Sequence, residues 1–297
     1  MVTTAYPAGA PSVNGTNITV DTMLKQPKYI TKAAVPSNEI FLSEFLFRQD
    51  GTGDSGAIIF QRAKRAGAYP TFGDVQEIAP MANFPLIDGD DDEWMTDLAR
   101  KFGTAFRFSD EARDRNARDA FTRNTLLARN ALVRQDAARC YQAFIDAGVP
   151  QRNAIAPWNS ASQKIRRDIR TAQSDIKNEK LGYAADTVIL NPNAALEIEL
   201  NEDLQKLLPT QIPAYNPWLS PGLKNLLNIN WVENEHLPED TVIVLQRNVS
   251  GVNAVEKDTS TETLREAGEK TLVQIGRRSL PVITDPYSAI ILKGVIA

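Results

Sequence analysis

The sequence predicts an α+β fold in which one long helix and several long strands accompany an extended N-terminal arm. Residues 109–147 have helical spacing that neither Gly nor Pro interrupts before Gly148. Residues 57–108 contain two strand-like runs joined by a long irregular excursion. Residues 1–37 contain repeated Pro and Gly and no sustained period, which is typical of a segment that buries too little apolar surface to fold alone.

These patterns divide the chain into five parts. They are an N-terminal arm with a short helix at 1–56, an extended two-stranded loop at 57–108, a spine helix region at 109–149, a mixed α/β domain at 150–270 and a return strand at 271–297. The short helix of the first part is predicted just after Asn38, where large apolar residues recur at helical spacing behind a capping residue.

Composition excludes several classes of function. The 297 residues carry 33 basic and 37 acidic side chains, a formal net charge of −4, whereas a dedicated nucleic-acid binder usually has a basic excess. His236 and Cys140 are the only residues of their types, which excludes an intrachain disulfide and any site needing two histidine ligands. Because neither a transmembrane helix nor a signal peptide is recognisable, we expect the protein to remain inside the cell that makes it.

The extended loop is predicted to reach a partner. Its first strand begins at Ala57, and its second strand places four residues on one face by alternate spacing: Phe102, Thr104, Phe106 and Phe108. The excursion between them contains the acidic run Asp88–Glu93 and is far too long for a hairpin turn. Loops longer than about 15 residues usually either serve binding or remain disordered.

The spine helix is predicted to start at Ser109, a good N-cap, and to run unbroken to the stop at Gly148. We expect its apolar stripe to comprise Ala117, Ala120, Phe121, Leu127, Ala128, Ala131, Ala138, Tyr141 and Ile145. Arginines populate the opposite face, and we expect them to pair with acidic residues in preference to DNA. They are Arg113, Arg115, Arg118, Arg123, Arg129 and Arg134.

The mixed α/β domain is predicted to alternate helices and strands. We expect helices at about 159–181 and 193–208 and strands at 186–190, 229–234 and 241–247. The return segment alternates from Leu272, is broken by prolines and closes with the apolar strand Ala289–Leu292.

Three short sequence segments resemble those of a known family: Phe106–Asp114 at the start of the spine helix, Tyr183–Pro192 in the α/β domain, and Pro281–Pro286 before the last strand. Their order resembles that of the major capsid proteins of tailed double-stranded DNA bacteriophages, which have the Hong Kong 97-type fold. Bacterial encapsulins are relatives of that family. The resemblance implies a peripheral domain that contains the spine helix and the C-terminal return strand at 271–297, and an axial α/β domain at 150–270.

The resemblance also implies how the protein acts. Copies are expected to associate with one another as pentamers and hexamers in an icosahedral shell, which encloses DNA without sequence-specific binding. We expect assembly in the host bacterial cytoplasm, location in the virion, and partners that include a portal, a decoration protein and a separate scaffolding protein, if any. No cofactor, metal or catalytic residue is expected, and no membrane contact.

The candidate inter-subunit contacts are all charged residues of the extended loop. They are Arg62, Lys64, Arg65, Asp90, Asp91, Asp92 and Glu93. The basic residues are equally consistent with a docking patch and with a charged edge that blocks unwanted strand pairing. Some family members link a lysine of this loop covalently to an asparagine next door, but no partner motif for Lys64 or Lys101 is recognisable here.

Three other interpretations of the chain's function have weaker support. An encapsulin shell around protein cargo shares the fold and differs in contents. A metal-dependent hydrolase would rely on the acidic run, yet Glu93 stands where a calcium-binding EF-hand loop has glycine, and Ala99 where it has glutamate. A helical nucleic-acid binder would use the spine arginines, which the net charge disfavours.

Overall fold

The computed structural model describes residues 13–14, 17–34, 41–50, 56–64, 75–86, 93–201 and 229–296. Its helices are α1 Val20–Lys25, α2 Lys28–Ala34, α3 Leu42–Leu46, α4 Asp110–Asp114, α5 Arg118–Asp146, α6 Ile165–Asn178 and α7 Pro192–Leu200. Its strands are β1 Val13–Asn14, β2 Asn17–Ile18, β3 Arg48–Asp50, β4 Ala57–Arg62, β5 Glu93–Leu98, β6 Arg100–Ser109, β7 Gln151–Asn153, β8 Thr187–Leu190, β9 Asn230–Glu233, β10 Thr241–Leu245, β11 Gly251–Glu266, β12 Lys270–Ile283 and β13 Ala289–Lys293. Within these ranges, none of the helices combines the length and apolar character that a membrane crossing requires.

A four-stranded sheet of order β3-β11-β12-β6 forms the base of the peripheral domain. Side chains of β12 alternate between buried and half-buried, since one face of the sheet packs against helices and the other faces outward. The inner face packs Val273 and Ile275 against α5, with Phe108 and Phe121 in an edge-to-face contact at 5.5 Å between ring centroids. The predicted alternation of β6 is confirmed, because its alternate residues are the less exposed ones.

A five-stranded sheet of order β7-β13-β10-β8-β9 forms the core of the axial domain. Every residue of β8 and β10 is buried. One face packs Val188 and Val244 against α6 and α7, and the other packs Ile243 and Ile291 against Phe144 of α5. The sheet is therefore covered on both faces by helices of its own chain.

The spine helix begins where the sequence predicts but does not run unbroken. Ser109 caps α4 by accepting a hydrogen bond from the Ala112 N–H, and Gly148 ends α5 with a φ of +68°. Asn116 has a φ of +52° and separates α4 from α5, which corrects the prediction of one continuous helix. Its side-chain oxygen accepts a hydrogen bond from the Val20 N–H at 3.0 Å, so contact with α1 stabilises the break.

The buried stripe of α5 also differs from the prediction. Phe121 and Ala128 are buried as expected, whereas Leu127 is exposed. The observed stripe runs along a neighbouring set of positions: Phe121, Thr125, Ala128, Leu132, Asp136, Ala137, Cys140 and Phe144. The many alanines of α5 differ too little in hydrophobicity from their neighbours for the sequence to show which face of the helix is buried.

The N-terminal arm is partly helical, which corrects the expectation of an irregular segment. Residues 20–34 form α1 and α2, and Val20, Leu24 and Ile30 are buried against the chain's own peripheral domain. The Thr263 hydroxyl donates to the backbone oxygen of Leu24 at 3.1 Å, which fixes α1 to β11. Residues 1–12 and 35–40 lie outside the described ranges.

Two strands belong to a different sheet from the one that the sequence suggests. The predicted axial part, 150–270, includes β11, yet β11 pairs with β12 in the peripheral sheet. The predicted return segment, 271–297, includes β13, yet β13 pairs with β10 and β7 in the axial sheet. The predicted strands at 186–190, 229–234 and 241–247 are confirmed as β8, β9 and β10. Residues 202–208 of the predicted second helix lie outside the described ranges.

Candidate assembly surface

The extended loop forms an antiparallel hairpin at its base. Strands β4 and β5 pair from Ala57 opposite Leu98 to Arg62 opposite Glu93. The returning leg then leaves the hairpin at Ala99, and β6 joins the peripheral sheet beside β12. The hairpin is thus joined through Ala99 to the edge strand β6 of that sheet.

One face of this hairpin carries large apolar side chains that are exposed among the described residues. The exposed fractions are 67% for Ile59, 66% for Trp94 and 60% for Leu98. Alternate spacing and the observed register place these three side chains on the same face. The opposite face contains Ile58, which is buried, so the hairpin has an inner side and an apolar outer side.

The segment beyond the hairpin also exposes large apolar side chains. Within the described residues 75–86, the exposed large apolar side chains are Val75, Met81, Phe84 and Leu86. So many exposed large apolar side chains in one loop are unusual for a soluble monomer and indicate a contact surface. We call the outer faces of Ile59, Trp94 and Leu98 the hairpin face.

The hairpin is fixed to the body at the end where Arg62 lies opposite Glu93. The Ala63 N–H donates to the Thr284 backbone oxygen at 2.8 Å. A groove of about 220 Å³ lies between the hairpin, the end of α5 and the end of β12. Charged side chains line it: Arg62, Asp97, Arg100, Arg139 and Asp146.

Arg139 is a partly buried cation of this groove. Its guanidinium lies 3.8 Å from the centroid of the Phe102 ring and donates to the backbone oxygen of Ser279. Burial lowers the pKa of Arg139 from its usual value, and the carboxylate of Asp136 opposes that shift. Arg139 therefore links the spine helix to two strands of the peripheral sheet.

Helix α3 is attached to the same domain through two polar contacts. The Ser43 N–H and hydroxyl both donate to the buried carboxylate of Asp136, at 2.9 and 2.7 Å. Glu44 lies 2.6 Å from the guanidinium of Arg277, which is itself buried under the Phe41 ring. A buried carboxylate needs such donors to offset its lost hydration, so α3 is held in one position on α5.

The start of the spine helix is joined to β11 by an ion pair. Both carboxylate oxygens of Asp110 accept hydrogen bonds from the guanidinium of Arg265. These hydrogen bonds hold the pKa of Asp110 below its usual value, and Arg113 contributes in the same direction. The expected pairing of Arg113 with acidic neighbours is confirmed, since Arg113 also lies 3.2 Å from Asp114.

The structure places some of the predicted contact residues and not others. Arg62 and Glu93 are cross-strand neighbours at the end of the hairpin next to the Ala63–Thr284 hydrogen bond, and Lys64 lies two residues beyond β4. Arg65, Asp90, Asp91 and Asp92 lie outside the described residues. Sequence reasoning missed the hairpin face itself, although alternate apolar residues in β4 and β5 were the available signal.

The remaining candidate residues occupy structural positions. Cys140 is fully buried in the core beside α3, and burial raises the pKa of its thiol far above the usual value. His236 is partly buried in a turn, with its Nε2 atom 3.4 Å from Glu235. In the described parts of the chain, His, Cys, Asp and Glu side chains do not form a group of three that could hold a metal ion.

Comparison with known families decides the identity of this fold. The model of a family described as phage capsid protein matches residues 98–291, about two thirds of the chain. The chain belongs to the phage capsid protein family. The matched range runs from the end of the extended loop through the spine helix and both sheets, so the predicted α+β capsid fold of the Hong Kong 97 type is confirmed.

Solved capsid-fold structures agree with the fold. A virus-like particle from Pyrococcus furiosus is 12% identical, with a TM-score of 0.61 over 89% of this chain and 96% of that chain. The capsid of the cyanophage P-SCSP1u is 10% identical, with a TM-score of 0.56 over 88% and 92%. An encapsulin complex from Synechococcus elongatus is 10% identical, with a TM-score of 0.61 over 88% and 91%. No curated protein sequence matches this capsid protein.

Proposed function

We propose that this capsid protein is the structural subunit of a bacteriophage head. Copies assemble through pentamers and hexamers into an icosahedral shell that encloses double-stranded DNA, in the cytoplasm of the host bacterium. Membership of the capsid family supports the shell, and the uncovered hairpin face supports contacts between copies. The hairpin face is the observation on which the proposal depends most, since a protein that works as a monomer has no use for it.

Burial of apolar surface supplies the free energy of assembly. Fully burying an exposed Ile or Leu side chain contributes about 1.5–3 kcal/mol, and Ile59 and Leu98, which are 67% and 60% exposed, contribute part of that. Association costs translational and rotational freedom, so one such contact between two copies is weak. In a closed shell every copy both covers a neighbour and is covered, and many modest contacts then add up.

In this proposal, the charged candidate residues of the extended loop determine how neighbouring copies are oriented. Arg62, Lys64, Arg65 and the acidic run Asp90–Glu93 contact neighbouring copies and fix the register in which the hairpin faces dock. Complementary charges contribute more to specificity and association rate than to affinity. The portal, decoration and scaffolding proteins are further partners in this scheme.

Sedimentation and negative-stain microscopy of the full chain, produced in bacteria, test the proposal. We expect particles of megadalton mass and an isometric outline. A single small oligomer over a wide range of protein concentration and salt would contradict the shell. We also expect one monomer band on denaturing electrophoresis, because Lys64 and Lys101 lack a recognisable crosslinking partner.

An encapsulin-type compartment is the second candidate, because an encapsulin complex shares the fold at a TM-score of 0.61. The contents of particles isolated from the native host separate the two functions. DNA of uniform length inside the particles supports the phage head. A single co-purifying enzyme and the absence of DNA would instead establish the compartment. In both cases the chain acts by assembly, and we propose no catalytic reaction for it.

A further inference from the structure

Among the described helices, exposed leucines occur in α5 and α7. Leu126 and Leu127 of α5 and Leu196 and Leu200 of α7 are between 44% and 61% exposed. A helix that packs only within its own chain usually turns its large apolar side chains towards the core. Each pair of leucines therefore marks a candidate contact with another molecule.

The leucine pair of α5 lies in a basic environment. Residues 120–135 contain three arginines and no carboxylate. Two of these arginines, Arg123 and Arg134, are exposed and form no ion pair within the described residues. Helical spacing places them on one side of α5 together with the leucines. We call this surface the basic row, and its exposed members are Arg123, Leu126, Leu127, Asn130 and Arg134.

The leucine pair of α7 lies in an acidic environment. Four of the residues 197–203 are acidic, and residues 181–205 contain no basic side chain. Ile198 packs into the axial core, so the side chains on the opposite side of α7 face away from the sheet. We call this surface the acidic face, and its exposed members are Leu196, Glu199 and Leu200.

The basic row and the acidic face complement each other in charge and in length. Each combines exposed leucines with charged groups, and the two sets of charges have opposite sign. The basic row spans eleven positions from Arg123 to Arg134, or about 17 Å, and the nine residues of α7 span about 14 Å. Complementary charges of this kind select a partner and fix its register, while the leucines supply apolar contact.

The two surfaces do not meet within one chain. Helix α7 covers one face of the axial sheet, whereas α5 contacts the opposite face through Phe144. Arg134 lies ten residues before Phe144, about 15 Å further along α5. The axial sheet therefore separates the basic row from the acidic face of the same chain.

We infer that the basic row of one copy docks on the acidic face of a second copy. Because the two surfaces differ, the interface is heterologous, and repeated contacts of this type close into a ring when the rotation between copies allows it. The inference rests on the proposed self-assembly and adds to it two helix surfaces that join neighbouring copies. DNA fits the basic row less well, since phosphate contacts use hydrogen-bond donors and would leave Leu126 and Leu127 uncovered.

Thiol crosslinking tests the docking in the full chain. Leu127→Cys and Leu196→Cys in one chain place a thiol on each surface, and the native Cys140 is fully buried. A short bismaleimide, which tolerates a gap between two thiols, should then produce a ladder of linked chains that ends at five or six copies. Each single change should give little product, because one copy offers each thiol to a different surface of its neighbour. Leu127→Cys with Lys177→Cys, an exposed residue of α6, is the matched control.

The crosslinking separates failure of the docking from failure of the shell. If the chain forms only small oligomers that still give the ladder, the shell proposal fails while the docking stands. Shells that give no ladder, or a ladder of equal yield in the control with Lys177→Cys, would refute the docking.

Charge exchange provides a second test. We expect Arg134→Glu and Glu199→Arg each to lower the particle yield severalfold, and the chain with both changes to recover most of it. Lys177→Glu is the control and should leave the yield unchanged. Simple addition of the two losses, or no loss from either change, would overturn the inference. Normal particle yield with less DNA in Arg134→Glu particles would also contradict it, since the basic row would then bind nucleic acid.

Discussion

The axial sheet and the hairpin both contain large apolar residues, but the sheet buries them and one face of the hairpin exposes them. Strand β10 buries every side chain between helices of its own chain, whereas β4 and β5 leave Ile59, Trp94 and Leu98 in water. Both segments have strand propensity and large apolar residues. The difference shows that an apolar strand indicates burial somewhere, but that the surrounding layers decide whether the cover comes from the same chain or from another.

A core substitution in the axial sheet should have the largest effect on folding. Ile243 of β10 is 1% exposed and packs against α5. We expect Ile243→Ala to lower the free energy of unfolding by about 2–5 kcal/mol, because the removed methyl groups leave a cavity. Urea denaturation of the unassembled chain measures it. Ile243→Val is the matched control and should cost clearly less. Equal stability of wild type and Ile243→Ala would mean that this sheet is not the folding core.

An intermediate effect is expected at the ion pair of Asp110 and Arg265, which joins the spine helix to β11. Because the folded-state pKa of Asp110 lies below its usual value, the pair stabilises the fold above pH 4 or so and loses this effect as the pH falls through the folded pKa. We expect Asp110→Asn to lower the Tm by a few degrees at pH 7, and this difference to shrink towards pH 2.

Thermal unfolding at several pH values measures the difference for Asp110→Asn. Glu111→Gln changes an adjacent carboxylate without this pair and should show little pH-dependent difference. A Tm difference that is constant between pH 7 and pH 2 would show that the Asp110 carboxylate does not act through its charge.

The smallest effect on folding, with a large effect on assembly, is expected at the hairpin face. Replacing Trp94 and Leu98 by Ser removes side chains that contact mainly water in the single chain. We expect the free energy of unfolding to change by less than about 0.5 kcal/mol per site. Particle yield should fall at least tenfold, as measured by sedimentation.

Ile155→Ser is the matched control for the hairpin face, because Ile155 is also half-exposed but belongs to the axial domain. It should leave the particle yield close to that of wild type. Loss of folding stability in the Trp94 and Leu98 variant, without loss of particles, would reverse the contrast between hairpin and axial sheet.

Local signals in the sequence predicted the elements whose causes are local. The cap at Ser109 satisfies the N–H group of Ala112. Gly148 ends α5 because a left-handed residue closes a helix at little cost for glycine. The alternation in β6 followed from one covered face.

Strand β11 escaped prediction because its core contacts are largely polar. Its inner face includes Thr261 and Thr263, whose hydroxyls bond to Thr31 and to the backbone of Leu24. A hydrophobicity pattern does not register such a face, although alternate threonines are a strand signal. The candidate assembly surface was predicted only as a charged loop, and its apolar face became visible once the register of β4 and β5 was known.

The sequence by itself determined the α+β class, the order of the main parts and the kinship with capsid proteins. The class and the order of parts follow from periodicity, caps and turn residues, which act over a few positions, and the kinship rests on the resemblance of three short segments to the family. Only the tertiary structure decided where the spine helix breaks, since Asn116 binds a backbone group 96 positions away. It also decided which sheet takes β11 and β13 and which apolar residues stay uncovered, because pairing and burial depend on neighbours that are distant in sequence.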